Sequence, residues 1–145
     1  MDLGLTGISA VVTGGTSGIG LATADLLLAE GARVAVCGRN AERLASARAM
    51  LEGKHGKGRL LVHACDVTKA AQVAEFAKSV AAEFGILELL VNNAGEGRLS
   101  RFADTTDEAW WSELEQKYFG QINTIRAFHP LLMKGAAPAI VGVNS

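Results

Sequence analysis

The sequence predicts an α/β fold in which one parallel sheet carries helices on both faces. Three observations lead there. Short apolar runs alternate with longer amphipathic stretches along the whole chain. The first run, "ISAVVT" (8–13), is rich in β-branched residues and ends in glycines. A glycine-rich turn then joins that run to the first amphipathic stretch. Strands and helices in this rhythm wind a parallel sheet by right-handed crossovers.

The elements follow in order. "ISAVVT" reads as a buried strand. "GIGLATADLLLAEG" (18–31) reads as a helix closed by Gly31. "ARVAVC" (32–37) is a second strand. "NAERLASARAMLEG" (40–53) is a helix with Asn40 as N-cap and Gly53 at its end, before a surface loop at 53–58. "RLLVHAC" (59–65) is a third strand. In the next stretch Val73, Phe76, Ala77, Val80, Ala81 and Phe84 fall at helical spacing on one face. "ILELLVN" (86–92) is a fourth strand, followed by a long loop. A helical stretch from about Asp107 to Met133 comes next, with Trp110, Leu114, Tyr118, Ile122, Ile125 and Leu132 as its apolar stripe. "AIVGV" (139–143) suits a buried fifth strand. It runs into Ser145, an unusual place for a finished domain to stop.

Composition narrows the function classes. The 145 residues are 49% hydrophobic and 20% charged, enough for one folded domain spanning 1–145. No internal repeat or linker divides it. The net charge of −1 gives no footprint for nucleic acid or an anionic membrane. The N-terminus has no basic region followed by an apolar core, so no secretory signal is expected. No segment approaches the ~18 apolar residues of a membrane helix. Cys37 and Cys65 are too few for a disulfide framework, and they read as buried thiols in a cytoplasmic protein. His55, His63 and His129 lie outside any metal-ligand spacing, so no metal site is expected.

In doubly wound sheets, ligands bind beyond the carboxyl ends of the strands. "TGGTSGIG" (13–20) lies at such an end, with Gly14, Gly18 and Gly20 between strand and helix. Glycine permits the tight turn and lets the backbone approach a pyrophosphate. The helix N-terminus behind it offers free N–H groups and partial positive charge. A tight turn without a ligand would use the same residues.

The spacing, T-G-x-x-x-G-x-G over Thr13–Gly20, resembles the first glycine motif of the short-chain dehydrogenase/reductase family. "NNAG" (92–95) after the fourth strand is similar to that family's second signature. Asp66 of "CDVT" matches the aspartate the family places near the adenine ring. The resemblance covers the chain from about Leu5 to Ser145. It implies a Rossmann-type, doubly wound sheet of order 3-2-1-4-5, truncated after the fifth strand. It also implies a nicotinamide dinucleotide held by Gly14, Thr16, Ser17, Gly18, Ile19, Gly20, Arg39, Asn40, Asp66, Val67, Asn93, Ala94 and Gly95. Asp66 would equally serve as a helix cap, and Asn92 and Asn93 as turn residues.

Domains that bind NAD usually carry an acidic residue after the second strand, for the ribose hydroxyls. Here that position holds Gly38, and Arg39 follows. A carboxylate would repel a 2′-phosphate, whereas an arginine pairs with it. The expectation is NADP(H) over NAD(H); the alternative is a solvated Arg39 loosely paired with Glu42.

The resemblance also implies hydride transfer between nicotinamide and a carbonyl or alcohol. In that mechanism a tyrosine moves the proton, a lysine lowers its pKa, a serine polarises the substrate oxygen and an asparagine holds a relay water. Ser145 matches the serine. The tyrosine and lysine would lie downstream of residue 145. Counting back from Pro130 places Lys117 where the family has its asparagine. A protonated lysine cannot accept a hydrogen bond. It could place a charge in the site, or lay its stem along the helix with its head in water. Asn123, six residues on, would lie about 240° around an ideal helix and is a poor substitute.

The loop at 96–105 is expected to form one wall of the substrate pocket. In the family the long helix packs on a neighbouring subunit. Trp110, Trp111, Tyr118 and Phe119 would give helix 107–133 apolar surface on more than one side, so a homo-oligomer is expected. Two other readings use the same residues. One is a non-catalytic NADP(H)-binding or sensor protein, and the other is an inactive fragment of a longer enzyme.

Overall fold

The structure, a computed structural model, describes residues 2–97 and 100–144. Five parallel strands carry the fold: β1 (Ser9–Thr13), β2 (Arg33–Gly38), β3 (Leu60–Ala64), β4 (Leu89–Asn92) and β5 (Ala139–Gly142). Their order in the sheet is β3-β2-β1-β4-β5, the order the sequence led us to expect. The helices between them are α1 (Gly18–Ala29), α2 (Ala41–His55), α3 (Ala70–Phe84), α4 (Asp107–Leu114) and α5 (Gly120–Leu132).

The pleat of β1 distributes the core. Val11 points to one face, with Phe76, Val80, Phe128 and Leu131 from α3 and α5. Ala10 and Val12 point to the other, with Leu27, Leu28 and Leu51 from α1 and α2. Successive side chains alternate across a sheet, so a strand covered on both faces is apolar at every position. All five residues of β1 are buried. Phe76 and Phe128 meet edge to face, with ring centroids 5.4 Å apart, and lock α3 against α5.

The structure corrects three expectations. Helix α2 continues through Gly53 to His55 and ends at Gly56, whose φ of 80° suits glycine. Gly53 has open space around it and is simply a helical residue. Ala81 is exposed, whereas Val73, Phe76, Ala77, Val80 and Phe84 are buried as expected.

The stretch 107–133 is not one regular helix. A π-helical turn, Glu115–Phe119, separates α4 from α5. A wide turn shifts the helical register, so a stripe counted at constant spacing does not stay on one face. The buried face of α5 is Gly120, Thr124, Phe128, Leu131 and Leu132. Of the expected stripe, Trp110, Leu114, Tyr118 and Ile122 are exposed.

Strand β5, whose residues suit a buried strand, has four exposed residues, as expected of a last strand in a sheet truncated after it. It is an edge strand, paired with β4 through Leu89↔Ala139 to Asn92↔Gly142. No helix among the described residues is long and apolar enough to cross a membrane.

Candidate functional site

The loops after β1, β2, β3 and β4 converge at one edge of the sheet. The turn after β1 begins at Gly14, in the left-handed region at φ 64°. A side chain there would be strained, and its Cβ would come within 2.9 Å of Ala94 Cα. The two loops are sewn together at that approach. The backbone N–H groups of Asn93 and Ala94 both donate to Thr13 Oγ1, each at 3.0 Å. The side-chain amide of Asn93 donates to the carbonyls of Thr13 and Gly14, at 3.1 and 3.3 Å. Asn92 is buried beneath and accepts a 2.6 Å hydrogen bond from Thr124 Oγ1 of α5. Its amide nitrogen has no partner among the described residues.

Helix α1 opens at Gly18 with Ser17 as an extended N-cap whose side chain makes no cap hydrogen bond. The hydroxyl and the first N–H groups of α1 therefore remain available to an anion. The three glycine-motif residues divide the work. Gly14 and Gly18 line the cleft. Gly20, expected among the binding residues, does not line it. A Cβ at Gly20 would collide with the Gly14 carbonyl and the Asn93 amide, so its role is close packing behind the turn.

The resulting cleft holds about 680 Å³. Of the expected binding residues, Gly14, Thr16, Ser17, Gly18, Ile19, Arg39, Asn40, Asp66, Val67, Asn93, Ala94 and Gly95 all line it. Asp66 does not cap α3, whose N-cap is Lys69. Its carboxylate instead accepts from the Thr68 backbone and hydroxyl, at 2.9 and 2.8 Å, and shapes the turn after β3. Asn40 caps α2 by accepting from the Arg43 N–H at 2.9 Å. Asn123, set aside as a relay group, donates to the Val67 carbonyl at 3.0 Å and ties α5 to the cleft wall.

Arg39 does not pair with Glu42. Its Nη2 lies 2.8 Å from Glu96 Oε1, across the mouth of the cleft. Arg43, Glu96 and Gln116 also line the cleft and were missed from the sequence. Arg43 had a local signal, since it follows Arg39 by four residues at the start of a helix. Glu96 directly follows the NNAG segment, in the loop expected to wall the substrate pocket, but nothing local placed it in this cleft; Gln116 had no signal, because it reaches the cleft only through tertiary packing. Gly38 sits where an acidic residue would stand. A Cβ there would approach Thr16 Oγ1 to 2.9 Å, so the turn after β1 crowds any side chain at that place.

Cys37 and Cys65 are both buried free thiols at the cleft floor. The neighbouring Cys65 sulfur, followed by burial, pushes the Cys37 thiol well above the usual range. A proton held that firmly keeps the thiol un-ionised and a poor nucleophile. Among the described residues no group of three His, Cys, Asp or Glu is placed to hold a metal ion.

A second cleft, of about 630 Å³, adjoins the first and shares Ile19, Asn93, Ala94, Gly95 and Glu96. Lys117, Tyr118, Gln121, Ile122 and Asn144 line its other side. Gln121 donates to Asn144 Oδ1 at 3.0 Å, joining α5 to the segment after β5. Lys117 lies in the π-helical turn, with its ammonium 3.2 Å from Glu113 Oε2. Of the loop expected to wall this pocket, Glu96 and Gly97 line it. Ser145 lies outside the described residues.

A parallel sheet of this order, with a glycine turn and a cleft at its carboxyl edge, defines a Rossmann-type doubly wound domain. Comparison with known proteins narrows the class. The family model for short chain dehydrogenases matches residues 9–145, and the chain belongs to that family. The D-threitol dehydrogenase of Mycolicibacterium smegmatis is 38% identical over 144 residues, which are 99% of this chain and 55% of that protein. An NADPH-bound short chain oxidoreductase of Pseudomonas aeruginosa PAO1, described as containing an atypical catalytic center, superposes with a TM-score of 0.91 at 50% identity. That match covers 97% of this chain and 56% of the other. L-Sorbose reductase of Gluconobacter frateurii, complexed with NADPH and L-sorbose, gives 0.90 at 35% identity, over 98% of this chain and 54% of the other. The chain thus spans about half the length of the proteins it matches.

Proposed function

We propose that this chain is the cofactor-binding portion of an NADP(H)-dependent oxidoreductase. It would transfer hydride between nicotinamide and a small carbonyl or alcohol substrate. The observation that carries the reading is the charge at the end of β2: Arg39 and Arg43 line the cleft, and β2 itself ends in Gly38, where an NAD-binding domain usually has its carboxylate. The similarity to two NADPH-bound oxidoreductases supports it.

The residues present fit such a dinucleotide. Gly14 keeps the floor of the cleft free of side chains, and the N-terminus of α1 with Ser17 would hold the pyrophosphate. Asp66 and Val67 would flank the adenine, and Arg39, Asn40 and Arg43 would meet the 2′-phosphate. When bound, the nicotinamide supplies or accepts the hydride. Ile19, exposed and shared by both clefts, would place an apolar side chain between them and keep water from the reacting carbon.

Ser145 and Lys117 would act on the substrate side. Ser145 would hold the substrate oxygen. Lys117 donates but does not accept hydrogen bonds while protonated, so it would hold an oxygen or a water by donation, without the two-way relay of an asparagine. The exposed aromatic surface of Trp110, Trp111, Tyr118 and Phe119 fits a homo-oligomer through α4 and the π-helical turn.

Titration of the chain with NADPH and NADH tests the cofactor reading. Tighter binding of NADPH, weakened at least tenfold by Arg39→Ala while NADH is unaffected, is the expected result. Equal affinities would overturn it. Binding without turnover of any carbonyl or alcohol by the complete protein would favour a non-catalytic, sensing role.

A further inference from the structure

We propose that Glu96 sets the cofactor selectivity of the first cleft by competing with the 2′-phosphate for Arg39. The inference rests on the NADP(H) reading of that cleft. Glu96 follows the "NNAG" segment and Arg39 follows β2, so 57 positions of sequence separate them, yet their side chains meet at 2.8 Å. Both line the cleft. The Glu96 backbone is itself held, because its N–H donates to Gln116 Oε1 at 3.2 Å. The carboxylate is therefore presented to Arg39 from a tethered position.

The chemistry sets the direction of the effect. A guanidinium pairs with a carboxylate or with a phosphate through the same planar fork of donors. To pair with a 2′-phosphate through Nη2, Arg39 must give up Glu96. The released carboxylate then stays nearby and repels the phosphate. A dinucleotide without the 2′-phosphate leaves the Arg39–Glu96 pair intact and meets neither cost. Glu96 thus lowers affinity for the phosphorylated cofactor selectively. The pair is exposed, with side-chain accessibilities of 48% and 62%. Such pairs are weak, so the effect is a matter of about threefold to fivefold in affinity. Arg43, the other cation at the mouth, supplies a constant background of positive charge.

The test is a double-mutant cycle on the whole chain, read by calorimetric titration with NADPH and NADH. Glu96→Gln keeps the shape and the backbone tether but removes the charge. We expect it to raise the NADPH-to-NADH affinity ratio about threefold to fivefold. The gain should vanish in an Arg39→Ala background. An unchanged ratio in Glu96→Gln, with Arg39→Ala still weakening NADPH alone, overturns the role of Glu96 and leaves the cofactor reading standing. NADPH affinity indifferent to Arg39→Ala overturns both.

Discussion

Thr13 and Asn93 hold each other in two directions. The Thr13 hydroxyl oxygen accepts the Asn93 backbone N–H, and the Asn93 side chain donates to the Thr13 carbonyl. The two signature segments of the chain are thus one hydrogen-bonded unit, built across the β1–β4 edge of the sheet. Removing the hydroxyl strands two N–H donors. Thr13→Val, close in shape, should cost about 1–3 kcal/mol by urea denaturation. Because the glycine turn is seated on this unit, NADPH affinity should fall as well.

Gly20 offers a test of packing without a lining role. A methyl group there would collide with the Gly14 carbonyl and the Asn93 amide. Gly20→Ala should weaken NADPH binding at least tenfold by fluorescence titration. The helix itself would gain slightly, since alanine favours helix over glycine by about 1 kcal/mol. A variant that binds normally would show that the turn can relax without harm.

Lys117 lines the second cleft and not the first. Lys117→Met in the complete protein should therefore leave the NADPH dissociation constant within about twofold of the parent. It should reduce turnover by about tenfold to a hundredfold, the scale of one positioned donor. Stopped-flow hydride transfer and cofactor titration separate the two quantities.

Asp25 predicts the acid limb of stability. Lys54, 2.6 Å away, and then His55 hold its carboxyl below the usual carboxylate range. A depressed native pKa stabilises the fold above the unfolded value, about 3.9 for aspartate, and that stabilisation is lost as pH falls through the native value. Asp25→Asn should lower stability at pH 6 and flatten the loss that sets in as pH falls below about 4. Urea midpoints measured from pH 6 down through that loss would show it.

Phe128 and Trp111 contrast two fates of an aromatic in the same segment. Phe128 is fully buried against Phe76, and Phe128→Ala should cost about 3–5 kcal/mol. Trp111 is 64% exposed, and Trp111→Ala should leave the stability of the monomer within about 0.5 kcal/mol. Sedimentation of the Trp111 variant shows whether the exposed face joins subunits, with a shift to monomer as the expected result.

The strand order came with the family resemblance; the strands themselves, the glycine turn and most positions that line the first cleft were legible in the residues. They are carried by local rules: β-branched runs for buried strands, glycines where a backbone must turn or approach closely, and a cap at Asn40. The register of the long helix was not legible. A π-helical turn at Glu115–Phe119 breaks a count made at constant spacing, and it moved the buried face to Thr124 and Phe128. The end of α2 at Gly56 instead of Gly53 shows the same limit, because a helical glycine and a capping glycine look alike until φ is known.

The sequence by itself determined which residues could form a phosphate-binding turn and which charge stands at the end of β2. Only the tertiary structure decided what that charge faces. Arg39 meets Glu96 because parallel winding brings the carboxyl ends of β2 and β4 to one edge, on either side of β1. Chain topology makes neighbours of residues that are remote in sequence, and side-chain electrostatics acts through space.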